Sequence, residues 1–469
     1  MKKITTYTYL IKNKITYFAI SILFLGAITL PSCKFLELES PDGVLQENVF
    51  TSANGFRSAR IGMYAAMGNK DYYGGTFPLA IDAHSDNGAN GGYANISYDQ
   101  FGTLKSVTPS NILIEQMWLA IYNPINISNQ ILANIDNLKK EDFEEDEKNN
   151  INGEALFVRA LCHFDALRTW GEHWDSTSIY GVPVVTRPQS FDKIVARSTV
   201  ADTYKAIIDD LLQAKELVTD SEKTFVNATS VDALLARVYL YKQDKANAAA
   251  ISEKIIADAG ADALYEAADY IKIFTIKSSK ESIFELGFTN QSRSSFNQYT
   301  YVRPDASRPE IFFLTSADLG SFFKKRTDDV RANFVNFTDI DASILPDGRT
   351  EKYRGEQTKD NPAYILRLAE QYLIAAEANG KTTGLTYLNT LRKSRGMSIF
   401  ASSISDADFT QAVADERRAE LNMEGHRYFD LARTNQVQEV MGKDVKSNLP
   451  IPLREITASN NEIKQNKGY

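Results

Sequence analysis

A pair of helix-forming segments recurs three times along the chain, and this repeat restricts the fold more than any other feature. Each pair joins two segments rich in alanine, leucine and tyrosine through a polar turn or an insertion. The pairs are 151–170 with 200–218, 233–240 with 248–257, and 364–369 with 385–391. Small alanines at helix crossings, with larger side chains between them, are typical of tetratricopeptide repeats. We therefore predict a mostly α-helical protein on a tetratricopeptide-repeat-like scaffold, at about 104–260 and 362–435.

Helical periodicity extends beyond these pairs but stops in two long regions. Apolar residues recur every three to four positions in the segments that we predict as helices: 50–67, 110–137, 151–170, 200–218, 229–243, 245–259, 362–379, 384–395 and 406–424. The region 68–102 is instead rich in glycine and asparagine and is predicted as a long ordered loop. The region 280–360 shows only a strand-like segment, 282–288, among turns. We predict that both regions are insertions that form a loop-rich, irregular second lobe.

The N-terminus carries a targeting pattern. Four lysines precede the apolar segment 15–30, which is shorter than the about 20 residues that a membrane-spanning helix needs. A basic start followed by a short apolar stretch is typical of a secretory signal peptide. The stretch ends in Leu30-Pro31-Ser32-Cys33, which resembles the lipobox of bacterial lipoproteins. We predict a signal peptide at 1–32, a lipidated Cys33 and a tether at 33–50; a plain signal peptide followed by an incidental cysteine is the alternative.

Charge and cysteine content exclude several classes of protein. The formal net charge is −8, and removal of 1–32 leaves 48 basic against 60 acidic residues, a net charge of −12. We therefore predict no nucleic-acid partner, and the lipid rather than charge must hold this acidic body at a membrane. The two cysteines, Cys33 and Cys162, are too few for a disulfide framework or a four-thiolate metal site.

Motifs for catalysis, metals and cofactors are absent from the sequence. The histidines, His84, His163, His173 and His426, form no His-Glu-x-x-His motif. No Gly-x-Ser-x-Gly elbow occurs, and Asn379-Gly380-Lys381-Thr382 lacks the first glycine of a P-loop.

Asp82, His84 and Asp86 alternate as at the start of a calcium loop, but Asn87 replaces the glycine of its sixth position and Tyr93 the acid of its twelfth. We predict no catalytic residue, no metal and no cofactor, with calcium at this loop as the alternative.

Charged residues cluster between positions 417 and 430. Arg417, Glu420, Glu424, Arg427 and Asp430 are three or four positions apart, a spacing that places side chains on one face of a helix. In one interpretation Glu420 and Glu424 are the acid/base pair of a glycoside hydrolase. In the other, the charges form an ion-pair ladder that stabilises the packing of helices. We favour the ladder and predict that Arg427 pairs with Glu424 or Asp430.

Two groups of aromatic and polar residues lie in the regions without helical periodicity. Sugar rings have apolar C–H faces and hydroxyl edges, so a glycan site needs flat aromatic rings beside Asn, Asp and Arg side chains. The predicted ligand-binding residues are Tyr72, Tyr73, Asp86, Asn87, Tyr93, Tyr299, Tyr301 and Arg303. Tyr98 and Asn90 lie in the first group as well. The alternative is that the tyrosines only pack the loops onto the helical body.

Several segments resemble the SusD/RagB family of outer-membrane nutrient-binding lipoproteins. The most specific of them is 416–433, which reads ERRAELNMEGHRYFDLAR. The other matching segments are 33–41, 50–52, 62–64, 154–160, 163–164, 170–171, 181–185, 366–378, 388–392, 449–452 and 465–469. The resemblance is absent from 68–102 and 288–360, as expected of a site adapted to one ligand on a shared scaffold.

This resemblance implies a function and a location. Members of the family capture a nutrient, usually a glycan, at the cell surface and present it to a SusC-like TonB-dependent transporter, over which they sit as a lid. For this chain it implies a lipid-anchored outer-membrane protein with a single body at 51–469, and with a transporter barrel and a glycan as partners. A surface glycoside hydrolase, a peptide-binding member of the family and a purely structural assembly protein are the alternatives.

Overall fold

A computed structural model gives the fold. It describes residues 49–91, 95–190, 193–296, 312–336, 348–353 and 360–469. Several predictions fall on residues outside these ranges: the signal peptide 1–32, the lipidated Cys33 with most of its tether, and the ligand-binding residues Tyr93, Tyr299, Tyr301 and Arg303.

Fifteen α-helices dominate the described residues. The first eight are α1 (Ala53–Met67), α2 (Thr76–Ala83), α3 (Ile96–Gly102), α4 (Ile112–Asn134), α5 (Glu147–Trp170), α6 (Val200–Leu217), α7 (Ala228–Tyr241) and α8 (Lys245–Ala259). The others are α9 (Lys272–Thr275), α10 (Ala317–Lys324), α11 (Leu368–Ser394), α12 (Asp406–Leu421), α13 (Arg427–Arg433), α14 (Val437–Met441) and α15 (Leu453–Ala458). Short 3-10 helices lie at Ile135–Asn137, Lys140–Asp142, Ala267–Asp269 and Val330–Phe334. The predicted mostly α-helical fold is confirmed, and within these ranges no helix is long and apolar enough to cross a bilayer.

The scaffold is a series of packed helices. α4 packs on α5, α5 on α6, α7 on α8, α8 on α11, and α11 on α12. Every residue of α5 from 153 to 170 is buried, as expected of a helix that is apolar on nearly all sides. Two predicted pairs, α5 with α6 and α7 with α8, are therefore present. The third pair is present only in part, because residues 364–367 of its first segment form a strand and the remainder belongs to α11. The backbone of α11 leaves helical geometry at Gly380 (φ 64°), a conformation that glycine adopts without strain.

Side-chain caps explain where two scaffold helices begin. The Thr199 hydroxyl accepts a hydrogen bond from the backbone N–H of Asp202 at the start of α6. At the start of α7, Asn227 and Ser230 bond each other's backbone N–H groups in a capping box. Each cap satisfies an N–H that has no acceptor inside its own helix.

Six short strands form three two-stranded antiparallel sheets in the described part of the chain. They are β1 (Gly88–Asn90), β2 (Ser282–Leu286), β3 (Phe313–Thr315), β4 (Val335–Asn336), β5 (Arg349–Thr350) and β6 (Ala363–Arg367). β1 pairs with β3, β2 with β6, and β4 with β5. In the first sheet Gly88 faces Thr315 and Asn90 faces Phe313. This sheet therefore joins the two regions that lack helical periodicity.

Two of the secondary-structure predictions are wrong in part. The region 68–102 is not a single loop, because it contains α2, β1 and α3. All eight residues of α2 are buried, and the free energy gained by burying them outweighs the low helix propensity of the surrounding glycines. The predicted helix 362–379 begins as strand β6, which is fully buried and pairs with β2. Aromatic and β-branched residues such as Tyr364 and Ile365 favour that strand.

The predicted helix 406–424 is shorter than expected. α12 ends at Leu421, Met423 and Gly425 have positive φ values of 59° and 82°, and α13 begins at Arg427. A Cβ atom on Gly425 would lie 2.8 Å from the Cα atom of Pro78 in α2, so this close approach requires glycine. The charged residues between 417 and 430 therefore occupy two helices and a turn, and the prediction of one helix face is wrong.

Candidate functional site

Tyr72 and Tyr73 belong to the core of the protein. Both hydroxyls donate to Oδ2 of Asp165 on α5, at 2.6 and 2.8 Å. The other carboxylate oxygen of Asp165 accepts from Nε and Nη2 of Arg168, at 2.9 and 2.7 Å. The two tyrosines are only 0% and 5% exposed, so in this structure neither ring presents an open face. This geometry agrees with the alternative in which they pack the region 68–102 onto the helices; their contact with a ligand stays a prediction.

Asp86 and Asn87 are held by the family-specific segment. Arg427 donates from Nε to Oδ1 of Asp86 and from Nη2 to Oδ2, at 2.8 and 2.9 Å. Arg418 donates to Oδ1 of Asn87 at 2.9 Å and lies 3.2 Å from Oδ2 of Asp86. Burial alone would raise the pKa of Asp86, but the two guanidinium groups hold it below its usual range. The predicted pairing of Arg427 with Glu424 or Asp430 is therefore wrong.

A partly exposed aromatic surface lies beside the β1–β3 sheet. The ring of Tyr98 on α3 stacks on Phe312, with centroids 4.6 Å apart and an interplanar angle of 22°, and its centroid lies 5.4 Å from that of Phe313. Both phenylalanines are buried, whereas Tyr98 is half-buried. Next to it, Nδ2 of Asn90 donates to the carboxylate of Asp99. We call these five residues the Tyr98 face.

At the Tyr98 face, Gly91 and Phe312, which are near predicted ligand-binding residues in sequence, bond to each other. Gly91 precedes Tyr93 by two positions, and its N–H donates to the carbonyl oxygen of Phe312 at 3.1 Å. Phe312 follows the segment that carries the other three predicted residues, Tyr299, Tyr301 and Arg303. Because these four residues lie outside the described ranges, their contact with a ligand stays a prediction.

Lys105 supports this region and was missed by the sequence patterns. Its Nζ donates to the carbonyl oxygens of Ala83 and Gly88, the latter at 2.8 Å. Burial lowers the pKa of Lys105 to about 7, although the charge of Asp86 opposes that shift. The lysine thus fixes the turn between α2 and β1. A single lysine after a helix has no distinctive spacing, so no sequence signal could have identified this role.

Three glutamates of the family-specific segment form a buried ion-pair cluster. Their partners are Arg326, Arg331 and Arg392 for Glu416; Arg331, Arg367 and Arg395 for Glu420; and Lys352 and Arg367 for Glu424. Burial raises the pKa of Glu420, but the surrounding arginines outweigh it and hold the pKa well below the usual range. A general acid needs a raised pKa instead, so the geometry favours a structural role over an acid/base pair.

The described histidines and acids show no arrangement typical of a metal site. Among the residues that the structure describes, no group of three His, Cys, Asp or Glu side chains is placed to hold a metal ion. Burial lowers the pKa of His84, His163 and His173 to about 3, so these imidazoles are neutral core residues at physiological pH.

Two family models match the sequence. One is described as starch-binding and associating with the outer membrane and matches residues 34–240; the other is described as the SusD family and matches residues 317–449. SusD-like protein P2 of Formosa agariphila is 23% identical to this chain, over 98% of this chain and 100% of that protein. The predicted family resemblance is thereby confirmed.

Solved structures show the same fold. A SusD superfamily protein from Bacteroides vulgatus has a TM-score of 0.75 at 25% identity, covering 89% of this chain and 99% of that one. A laminarin-binding SusD-like protein has a TM-score of 0.72 at 22% identity, covering 89% of this chain and 100% of that one. These similarities confirm the predicted helical scaffold.

Proposed function

The chain belongs to the SusD/RagB family, and we propose that it binds a glycan at the cell surface and delivers it to a TonB-dependent transporter of the outer membrane. The main structural observation that supports glycan binding is the stacking of Tyr98 on Phe312. The family model's description as starch-binding supports the same class of ligand.

Tyr98 has the chemistry that a sugar ring requires. The apolar C–H face of a pyranose packs on an aromatic ring, and Phe312 holds the ring of Tyr98 from behind. Asn90 and Asp99 supply an amide and a carboxylate beside it for sugar hydroxyls. The proposed site also includes Tyr93, Tyr299, Tyr301 and Arg303, whose segments adjoin this face in the chain.

The buried members of the predicted set have supporting roles in this proposal. Tyr72 and Tyr73 fasten the region 68–102 to α5 through Asp165. Asp86 and Asn87 hold the turn that precedes β1 through their arginine partners. In this proposal they act on a ligand through the position of the Tyr98 face.

The location and the partner are part of the same proposal. Cys33 follows a signal-peptide pattern, and acyl chains on its thiol and amine would hold an acidic body of net charge −12 at a membrane. The family model's description as associating with the outer membrane supports that location. Delivery to a SusC-like barrel follows from the family resemblance.

A glycan screen tests the proposed function. The full-length protein, purified in detergent, is run through gels that contain single polysaccharides, among them starch, laminarin and a pectin, with bovine serum albumin as the control. We expect retardation by at least one polysaccharide and no release of smaller sugars on long incubation. Retardation by none of a broad panel would contradict glycan binding, and release of oligosaccharides would favour the hydrolase.

A further inference from the structure

Asp99 differs from the neighbouring acid Asp86 because, within the described ranges, it takes part in no ion pair. Asp86 has two guanidinium partners, Arg427 at 2.8 Å and Arg418 at 3.2 Å. The carboxylate of Asp99 instead accepts a hydrogen bond from Nδ2 of Asn90. An amide carries no net charge, so this bond satisfies the carboxylate without neutralising it.

Asn90 connects Asp99 to the side of the β1–β3 sheet on which Tyr98 packs. Asn90 and Phe313 are directly opposite each other in the antiparallel pairing, and opposite residues of such a pair have side chains on the same side of the sheet. The ring of Phe313 contacts that of Tyr98, with centroids 5.4 Å apart. Asn90, Tyr98 and Asp99 are all half-buried. A sugar ring packed on Tyr98 would therefore lie beside the carboxylate of Asp99.

The other charges of this region are held away from solvent. Counted with their partners, the charges on α3 and on the α2–β1 turn sum to zero: Asp86, Asp99 and Asp318 against Lys105, Arg418 and Arg427. Nζ of Lys105 is bonded to two carbonyl oxygens of the turn. The side chains of Arg418 and Arg427 are only 10% and 12% exposed, and both contact Asp86. Position rather than net charge therefore decides which charge a ligand meets first, and on the Tyr98 face that charge is Asp99.

We propose that the Tyr98 face accepts uncharged glycans and rejects chains that carry uronic-acid or sulfate groups, and that Asp99 causes this selection. A carboxylate accepts strong hydrogen bonds from sugar hydroxyls, but it repels an anionic group on the same sugar. For two like charges roughly 5 Å apart in a partly hydrated site, this repulsion corresponds to roughly tenfold in affinity. Repulsion of the wrong ligand is a common source of specificity. This inference rests on the proposed function, because it concerns the ligand of the same site.

Arg303 would act in the opposite direction. It is the single cation among the predicted ligand-binding residues, and it lies outside the described ranges. A guanidinium beside the sugar would attract uronic-acid and sulfated chains, so Asp99 and Arg303 predict opposite preferences. The experiment therefore includes a variant of each residue.

Matched pairs of polysaccharides test the proposal on the full-length protein in detergent. Affinity gels contain either member of three pairs that share a backbone: soluble starch and carboxymethyl starch, laminarin and sulfated laminarin, and methyl-esterified pectin and polygalacturonate. In any pair that is bound, we expect the uncharged member to bind roughly tenfold more tightly than the charged member. High salt should narrow this ratio, because it screens the repulsion.

Variants assign the selection to one residue. Asp99→Asn keeps an acceptor for the Asn90 amide but removes the charge, so the ratio of the two affinities should fall below about threefold. The matched control is Asp136→Asn, which removes the same charge from a side chain that is 94% exposed. Asp136 follows the 23-residue helix α4, so it lies about 35 Å from the start of that helix, where Asn111 contacts α3. The control should keep the wild-type ratio, and Arg303→Gln should not narrow it.

Two results would overturn the selection and leave glycan binding intact. One is a charged member that the wild type binds as tightly as its uncharged partner; recovery of the preference in Arg303→Gln would then assign control to Arg303. The other is an unchanged ratio in folded Asp99→Asn. If that variant does not fold, a wild-type ratio that high salt leaves unchanged decides against the proposal. Retardation by no member of any pair would instead contradict the proposed function, and this inference with it, so the two failures are distinguishable.

Discussion

Arg427 and Asp86 form a two-point ion pair, with Nε 2.8 Å from Oδ1 and Nη2 2.9 Å from Oδ2. The pair joins the family-specific segment 416–433 to the turn that precedes β1. Asp82 makes a second connection, because its carboxylate accepts the backbone N–H groups of Gly425 and Arg427, at 3.1 and 3.2 Å. The shared scaffold therefore positions the region from which the Tyr98 face is built.

Replacing Arg427 by alanine should destabilise the protein. The side chain of Asp86 is only 10% exposed, so its carboxylate would keep only Arg418 as a partner in a poorly hydrated site. We expect a loss of about 3–5 kcal/mol in the free energy of unfolding, measured by urea denaturation. The control is Arg454→Ala, which breaks an exposed contact with Glu115 and should cost less than about 0.5 kcal/mol. An unchanged free energy of unfolding in Arg427→Ala together with lost ligand affinity would reverse this assignment.

Asp430 should make the protein sensitive to acid. Burial raises its pKa, but Arg417 and Arg433 outweigh burial and lower it to about 2. Its ionised form therefore stabilises the fold above the unfolded pKa of about 3.9, and this stability is lost as the pH falls toward 2. The contribution is about 2–3 kcal/mol.

Asp430→Asn should remove that sensitivity. The free energy of unfolding of this variant and of the wild type is measured by urea denaturation at a series of pH values from 7 to 2. At pH 7 the variant should be less stable than the wild type, and below pH 4 its stability should fall less steeply with decreasing pH. A slope identical to that of the wild type in this interval would mean that another group controls the acid transition.

The helices could be predicted from the sequence because their cause is local. The residues 245–259 carry the apolar period of a helix, and α8 has the same bounds. The crowded segment 151–170 is apolar on nearly all sides, and it is the central buried helix α5. In both cases neighbours in sequence determine the structure.

The site could be predicted only in part because its contacts are distant in sequence. By sequence alone Tyr72 and Tyr98 cannot be distinguished, because both lie in the glycine-rich region 68–102. The first is buried because its hydroxyl meets Asp165, 93 positions away, whereas the second stacks on Phe312 through the β1–β3 pairing. Composition predicts that tyrosines gather near a ligand, but only tertiary contacts distinguish a fully buried tyrosine from a half-buried one.

Tyr72→Phe separates the structural from the binding role of this residue. The substitution removes one hydrogen bond to the buried carboxylate of Asp165, which should cost about 1.5–3 kcal/mol of stability. Affinity for any glycan that the screen identifies should not change, because the ring keeps its packing. The measurements are urea denaturation and calorimetry on the same preparation; unchanged stability with weakened binding would support direct ligand contact by Tyr72.

Cys33→Ala tests the lipid anchor. The change removes the attachment point of the acyl chains, so the protein should leave the membrane fraction and appear in the soluble fraction after cell lysis. The melting temperature of the released protein should equal that of the wild type. If the variant still fractionates with the outer membrane in high salt, in a strain without the transporter, the lipoprotein assignment is wrong.

The central claim is that Tyr98 forms the aromatic platform for a glycan, and calorimetry of Tyr98→Ala against the ligand from the screen tests it most directly. The matched control is Tyr239→Ala, which removes another half-buried tyrosine, from α7 of the scaffold. Loss of a stacking ring at the centre of a site should cost about 2 kcal/mol, or roughly thirtyfold in affinity. We predict this weakening in Tyr98→Ala, wild-type affinity in Tyr239→Ala, and folded protein in both melts. Wild-type affinity in a folded Tyr98→Ala would contradict the account.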